Sequence, residues 1–127
     1  MATVLGRRTF RAAPEQVSEA RRWLRKLIGD GCDDALECLS EVFTNAVIHT
    51  ASGVTQGPVS VVVMDIPPRV HIEVTDAGAV TEPHVRSPDD ATQYGRGLLV
   101  VNTLTCGRWG WDDELIGRRV WFEVPRC

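Results

Sequence analysis

Two apolar stretches separated by Pro67-Pro68 constrain this chain more than any other feature. Val59 to Ile66 is nearly all apolar and reads as a buried strand, and Val70 to Thr75 alternates as its paired strand. The two prolines mark the turn between them. Such a hairpin needs a covering layer, and the preceding sequence predicts one. Val17, Ala20, Trp23, Leu24, Leu27 and Ile28 recur at helical spacing behind Pro14, and Gly29-Asp30-Gly31 stops that helix. Its other face carries Arg21, Arg22, Arg25 and Lys26. Asp33 or Asp34 can cap a second helix, predicted from about 34 to 51, with Leu36, Leu39, Val42, Phe43, Ala46 and Val47 as its apolar stripe. Residues 3–12, short and Arg-rich, read as an edge strand.

The stretch from 77 to 94 has few large apolar residues and reads as a long loop, which in a small domain is functional or disordered. GRGLLVVNTL, from Gly95, reads as a glycine turn leading into a helix. Trp109 and Trp111 fall in a strand, Asp112 to Ile116 in a hairpin loop, and Arg118 to Val124 in a last strand. The expected fold class is α+β: a two-layer sandwich with helices on one face of a mixed, mostly antiparallel sheet.

With 127 residues the chain fits one domain with a real core. Its 43% apolar and 24% charged residues are ordinary globular values, which excludes a fibre or a coiled coil. No apolar run of about 18 residues predicts a membrane span, and the N-terminus lacks an apolar signal core, so a cytoplasmic location is expected. A net charge of −3 gives no support to direct nucleic-acid binding. The charge is uneven, because residues 1–28 hold seven of the fourteen basic residues, whereas 30–41 holds five acids and no base. The basic first helix reads as a solvated face or as a docking face for an acidic partner. Cys32, Cys38, Cys106 and Cys127 show no metal-ligand spacing and are expected as reduced thiols.

Three short patterns carry candidate chemistry. Glu41 and Asn45 lie four residues apart on the second helix and share a face, extended by Glu37 and His49, that points away from the apolar stripe. A carboxylate there can accept a proton, and a neutral amide oxygen can complete the shell of a hard cation. A solvated polar face is the alternative. Asp76 ends a strand and is followed by Ala77-Gly78, which makes either a turn or a carboxylate that accepts from an exocyclic amine, with Gly78 letting a flat ring approach. Gly95-Arg96-Gly97-Leu98 matches neither a dinucleotide fingerprint nor a Walker A loop. It can be a plain turn or a place where backbone meets phosphate.

In this order, E-x-x-x-N on a helix, D-x-G after a strand, a long loop and then G-x-G-L resemble the GHKL ATPase superfamily of gyrase, histidine kinases and mismatch-repair ATPases. Within it the chain is most similar to the bacterial anti-sigma-factor serine/threonine kinases and the related actinomycete ATP-binding regulators. LSEVFTNAVIHT (39–50), HIEVTDAG (71–78), GRGLLVVNTL (95–104) and the tail GRWGW…GRRVWFEV carry the likeness, which runs from about residue 8 to 124. The resemblance implies a Bergerat-type ATP-binding fold with ATP and Mg²⁺ as cofactors. It makes Glu41 the general base toward a serine hydroxyl or a water, and Asn45 the Mg²⁺ ligand. Asp76 becomes the reader of the adenine amino group, with Gly78 under the ring. Gly95 and Gly97 flank the phosphates, with Arg96, Leu98 and the amides of the following helix nearby, and 79–94 is the ATP lid. His49 matches a position that is often His.

The chain departs from the family pattern at Ala79-Val80, where a second glycine is common, and at Arg119, matched to a threonine that helps hold adenine. Its lid has no lysine. The implied partners are a sigma factor and an anti-sigma-factor antagonist as protein substrate, with a homodimer as an option. The alternative function is a catalytically weak or inactive ATP-binding module that sequesters a protein. An ATPase or a detached histidine-kinase catalytic domain is a third reading, opposed by the lack of a dimerisation helix pair before residue 14.

Overall fold

A computed structural model describes residues 1–49, 57–76, 88–114 and 117–127; for His49, 88–96 and Glu114 it describes the backbone alone. The chain runs β1 (Thr3–Arg11), α1 (Gln16–Ile28), α2 (Asp33–His49), β2 (Pro58–Ile66), β3 (Arg69–Asp76), α3 (Pro88–Thr105), β4 (Trp109–Glu114) and β5 (Gly117–Pro125). The five strands form one sheet in the order β1-β2-β3-β5-β4, and each of the four described pairings is antiparallel. The architecture is α+β, as expected. No described helix is long and apolar enough to cross a membrane.

Strand alternation decides which face the helices cover. Val59, Val61 and Val63 of β2, Val70, Ile72 and Val74 of β3, and Phe122 and Val124 of β5 point inward and are buried. From the helices come Ala20, Leu24, Leu36, Leu39, Val42 and Phe43. Gly6 of β1 packs closely on α1: a Cβ there would lie 2.6 Å from Leu27 Cδ1, the movable end of that side chain. The opposite face of the sheet is polar. His71 sits there between Glu123 (2.8 Å) and Glu73 (3.0 Å), with its ring stacked on Trp121.

Three expectations are corrected. First, Gly95–Gly97 is not a turn, because α3 is already helical from Pro88. Proline suits a first helical position, where its missing N–H has no partner to lose, and Asp89 and Asp90 then lie in the favoured first turn. The expected loop therefore shrinks by the helical residues 88–94. Second, Asp112 to Glu114 continue β4 rather than forming a loop, paired with β5 from Arg119 to Gly117. Third, Cys32 and Cys127 are joined as a disulfide, with Cα atoms 5.5 Å apart. Their separation of 95 residues hid this pairing from any spacing rule. Cys38 and Cys106 are free.

Candidate functional site

The α-helical repeat puts Glu41 and Asn45 of α2 one turn apart, on the side turned toward α3. There they meet backbone. A Cβ built on Gly97 would lie 2.9 Å from Glu41 Oε2 and 3.6 Å from both Oδ1 and Nδ2 of Asn45. Any larger residue at 97 would push on the carboxylate, so this glycine serves close helix approach rather than a turn. Both polar side chains are half-buried, so this stretch is not the freely solvated face that helical spacing alone allows. Glu37, one turn earlier, is exposed and belongs elsewhere, beside Arg21 at 3.8 Å.

A small cleft of about 30 Å³ opens between α2, α3 and the β3-β5-β4 end of the sheet. Asn45, Asp76 and Leu98 all line it. Asp76 continues the inward row of Val70, Ile72 and Val74 to the strand end and is 6% exposed. The remaining wall combines apolar side chains with the two indoles of Trp109 and Trp111. Glu41, through its contact with Gly97, stands beside Asn45 at the same helix pair. A concave, largely apolar lining with a few polar groups is the usual form of a small-molecule site.

One wall residue escaped the sequence reading. Arg118 lines the cleft, is buried and is the cross-strand partner of Asp76. Its Nε donates to Asp113 Oδ1 at 3.0 Å, and its guanidinium carbon sits 4.8 Å from the centre of the Trp111 ring. Arg119, matched above to the family threonine, points to the opposite face. It donates to Asp112 Oδ2 at 3.0 Å and lies 3.6 Å from Glu73. The residues of β5 facing the cleft are therefore Arg118 and Val120, not Arg119.

Gly78, Ala79 and Val80 lie outside the described residues, as does the lid from 79 to 87. The side chains of His49 and Arg96 do so as well, while Gly95 and Arg96 have their backbone inside α3. Cys38, one turn before Val42, is no rival centre of chemistry. Burial, aided by the charges of Asp34, Glu37 and Glu41, pushes its thiol up to about 12, so it stays protonated at neutral pH.

No curated protein is detectably similar to the chain. The family model for the histidine kinase-like ATPase domain matches residues 10–106, which take in α1, α2, the hairpin and α3, and stops short of β4 and β5. That match spans most of the sequence, and the chain belongs to the histidine kinase-like ATPase domain family.

Proposed function

We propose that the chain is a Mg²⁺- and ATP-dependent protein serine/threonine kinase that acts as an anti-sigma factor and phosphorylates an anti-sigma-factor antagonist. Family membership carries the coarser part, an ATP-binding, kinase-like regulatory domain. The observation supporting the finer reading is that Glu41 and Asn45 both crowd the position a side chain on Gly97 of α3 would take, with Asn45 and Asp76 on one cleft.

The residues fit the groups they would hold. Among the described residues no cluster of three or more His, Cys, Asp or Glu could cage a metal. Magnesium rarely needs such a cage; it keeps waters and substrate phosphates and takes one or two protein oxygens. Asn45 Oδ1 would supply such an oxygen without adding charge. Asp76 would accept from the amino group of the base, and the indoles of Trp109 and Trp111 would face its ring. Bound ATP supplies the transferable phosphoryl group. Glu41 would take the proton of the attacking hydroxyl, held in reach by its packing against Gly97. The protein partner would dock on the exposed basic side of α1, which carries Arg22, Arg25 and Lys26.

Nucleotide binding is the first test. ATP with Mg²⁺ at a hundredfold excess over Kd stabilises the folded chain by about 2.7 kcal/mol, a rise of several degrees in melting temperature. Asp76→Asn replaces a pure acceptor by an amide with its own donors. It is expected to weaken ATP binding roughly 10- to 100-fold, the worth of one hydrogen bond to a charged group. Calorimetric titration that finds wild-type affinity in this variant removes Asp76 from base recognition.

Gly97→Ala separates stability from activity. Alanine is favoured over glycine in a helix by roughly 0.5–1 kcal/mol, and the atom it meets is the movable end of Glu41. The melting temperature should hold or rise while phosphoryl transfer falls at least tenfold. Unchanged transfer would show that the carboxylate does not act from this position.

A further inference from the structure

The geometry points to Arg118 as a base-reading residue of the cleft, one that widens the site from adenine to guanine, so that the chain binds GTP as well as ATP. This rests on the reading of the cleft as a purine-nucleotide site and adds a choice of base to it.

The placement is set by register. Asp76 of β3 and Arg118 of β5 are directly opposed, and opposed residues of an antiparallel pair share a face with Cβ atoms about 4.5–5.5 Å apart. Both are buried and both line the cleft. A surface ion pair does not account for this position. The Arg118 side chain is only 9% exposed, whereas its partner Asp113 is 46% exposed, so the cation lies inside and the carboxylate reaches in to it. Asp113 takes the Nε–H, and the Trp111 ring lies against the guanidinium. A guanidinium has five N–H donors in a rigid fork, and four of them are on the two terminal nitrogens. Its two printed partners lie on the β4 side of β5, and the residue shares the cleft wall with Asp76.

The two bases differ in what their edges offer. Adenine presents an amino donor, and a lone carboxylate satisfies it. Guanine presents the O6 carbonyl beside its N1–H and N2 amino donors. A carboxylate accepts from those donors but repels O6, since both are acceptors. A neutral hydroxyl beside it could offer O6 only a weak donor. An arginine is the commonest protein partner of guanine O6 and N7, and its charge acts more strongly in a partly dry cleft than in water. Asp76 and Arg118 together therefore complement guanine, while Asp76 still serves adenine.

Calorimetric titration of the intact chain with ATP, GTP and CTP, each with Mg²⁺, tests this. ATP and GTP should bind within about tenfold of each other and CTP much more weakly. Arg118→Thr should lose GTP affinity roughly 10- to 100-fold, as expected for one arginine–guanine pair, and ATP affinity no more than a few-fold. Arg118→Lys keeps a cation and should retain most GTP binding, which guards against a threonine variant that merely folds poorly. ATP binding without GTP binding in the wild type overturns the proposal and leaves the purine cleft standing. GTP binding untouched by Arg118→Thr overturns the role of Arg118. Failure of both purine nucleotides to bind overturns the cleft's assignment along with it.

Discussion

Phe43→Ala lowers the free energy of unfolding by about 3–5 kcal/mol, the range for deleting a buried aromatic ring from a core. Phe43 is fully buried, and its ring meets Phe10 edge-on, with centroids 5.7 Å apart, tying α2 to β1. Phe10 in turn packs against Trp23 of α1. The ring thus joins both layers, and neighbours held on three elements cannot collapse fully into the space it leaves. Against a total of about 5–15 kcal/mol for a domain, this loss brings the chain near its folding threshold. Urea titration should show a lower midpoint with an unchanged slope, since the area exposed on unfolding hardly changes. A loss below 1 kcal/mol would mean that α2 is not anchored to the sheet through this ring. Phe43 is two residues from both Glu41 and Asn45, so the same anchor holds the helix that presents them.

That anchoring was legible from spacing alone. The stripe Leu36, Leu39, Val42, Phe43 and Ala46 is one side of α2, and all five are buried. The hairpin around Pro67-Pro68 was equally legible, because Val61 pairs with Val74 and Val63 with Ile72 in an unbroken register, with Val59 and Val70 buried on the same face. Glu41 and Asn45 were legible as a pair, but their surroundings were not. A helical wheel shows which residues share a face and is silent about what packs on it, and here that is the backbone of Gly97.

The failures have physical causes. Arg118 was missed although its signal was present. Val120, Phe122 and Val124 set the inward phase of β5, and stepping back by two reaches 118, not 119. Arg119, matched to the family threonine, lies on the other face, since one step along a strand exchanges the two faces. The start of α3 was missed because two glycines outweighed Pro88-Asp89-Asp90, a helix opening that ordinary capping rules favour. A glycine inside a helix marks a turn only when nothing needs to approach it closely. The Cys32–Cys127 bridge was beyond reach, since no local rule links the loop before α2 to the last residue.

Glu41→Gln is the decisive test of chemistry. The amide matches the carboxylate in size, so the contact with Gly97 and the helix itself should persist, but it cannot take up a proton. Loss of a positioned general base lowers turnover by roughly 10²- to 10⁴-fold. ATP affinity, which the proposal assigns to Asp76, Asn45 and the cleft walls, should change less than threefold. The two readouts then part: Asp76→Asn raises the ATP requirement with the base intact, while Glu41→Gln lowers the maximal rate at saturating ATP. Phosphate release and transfer to a captured partner, both at saturating Mg²⁺-ATP, measure that rate. If the wild-type chain binds ATP and transfers nothing, the module that sequesters a partner without catalysis is the correct reading. If transfer occurs and Glu41→Gln keeps it within tenfold, the proton goes to another group, and the closeness of Glu41 to Gly97 is a packing feature of the α2–α3 pair.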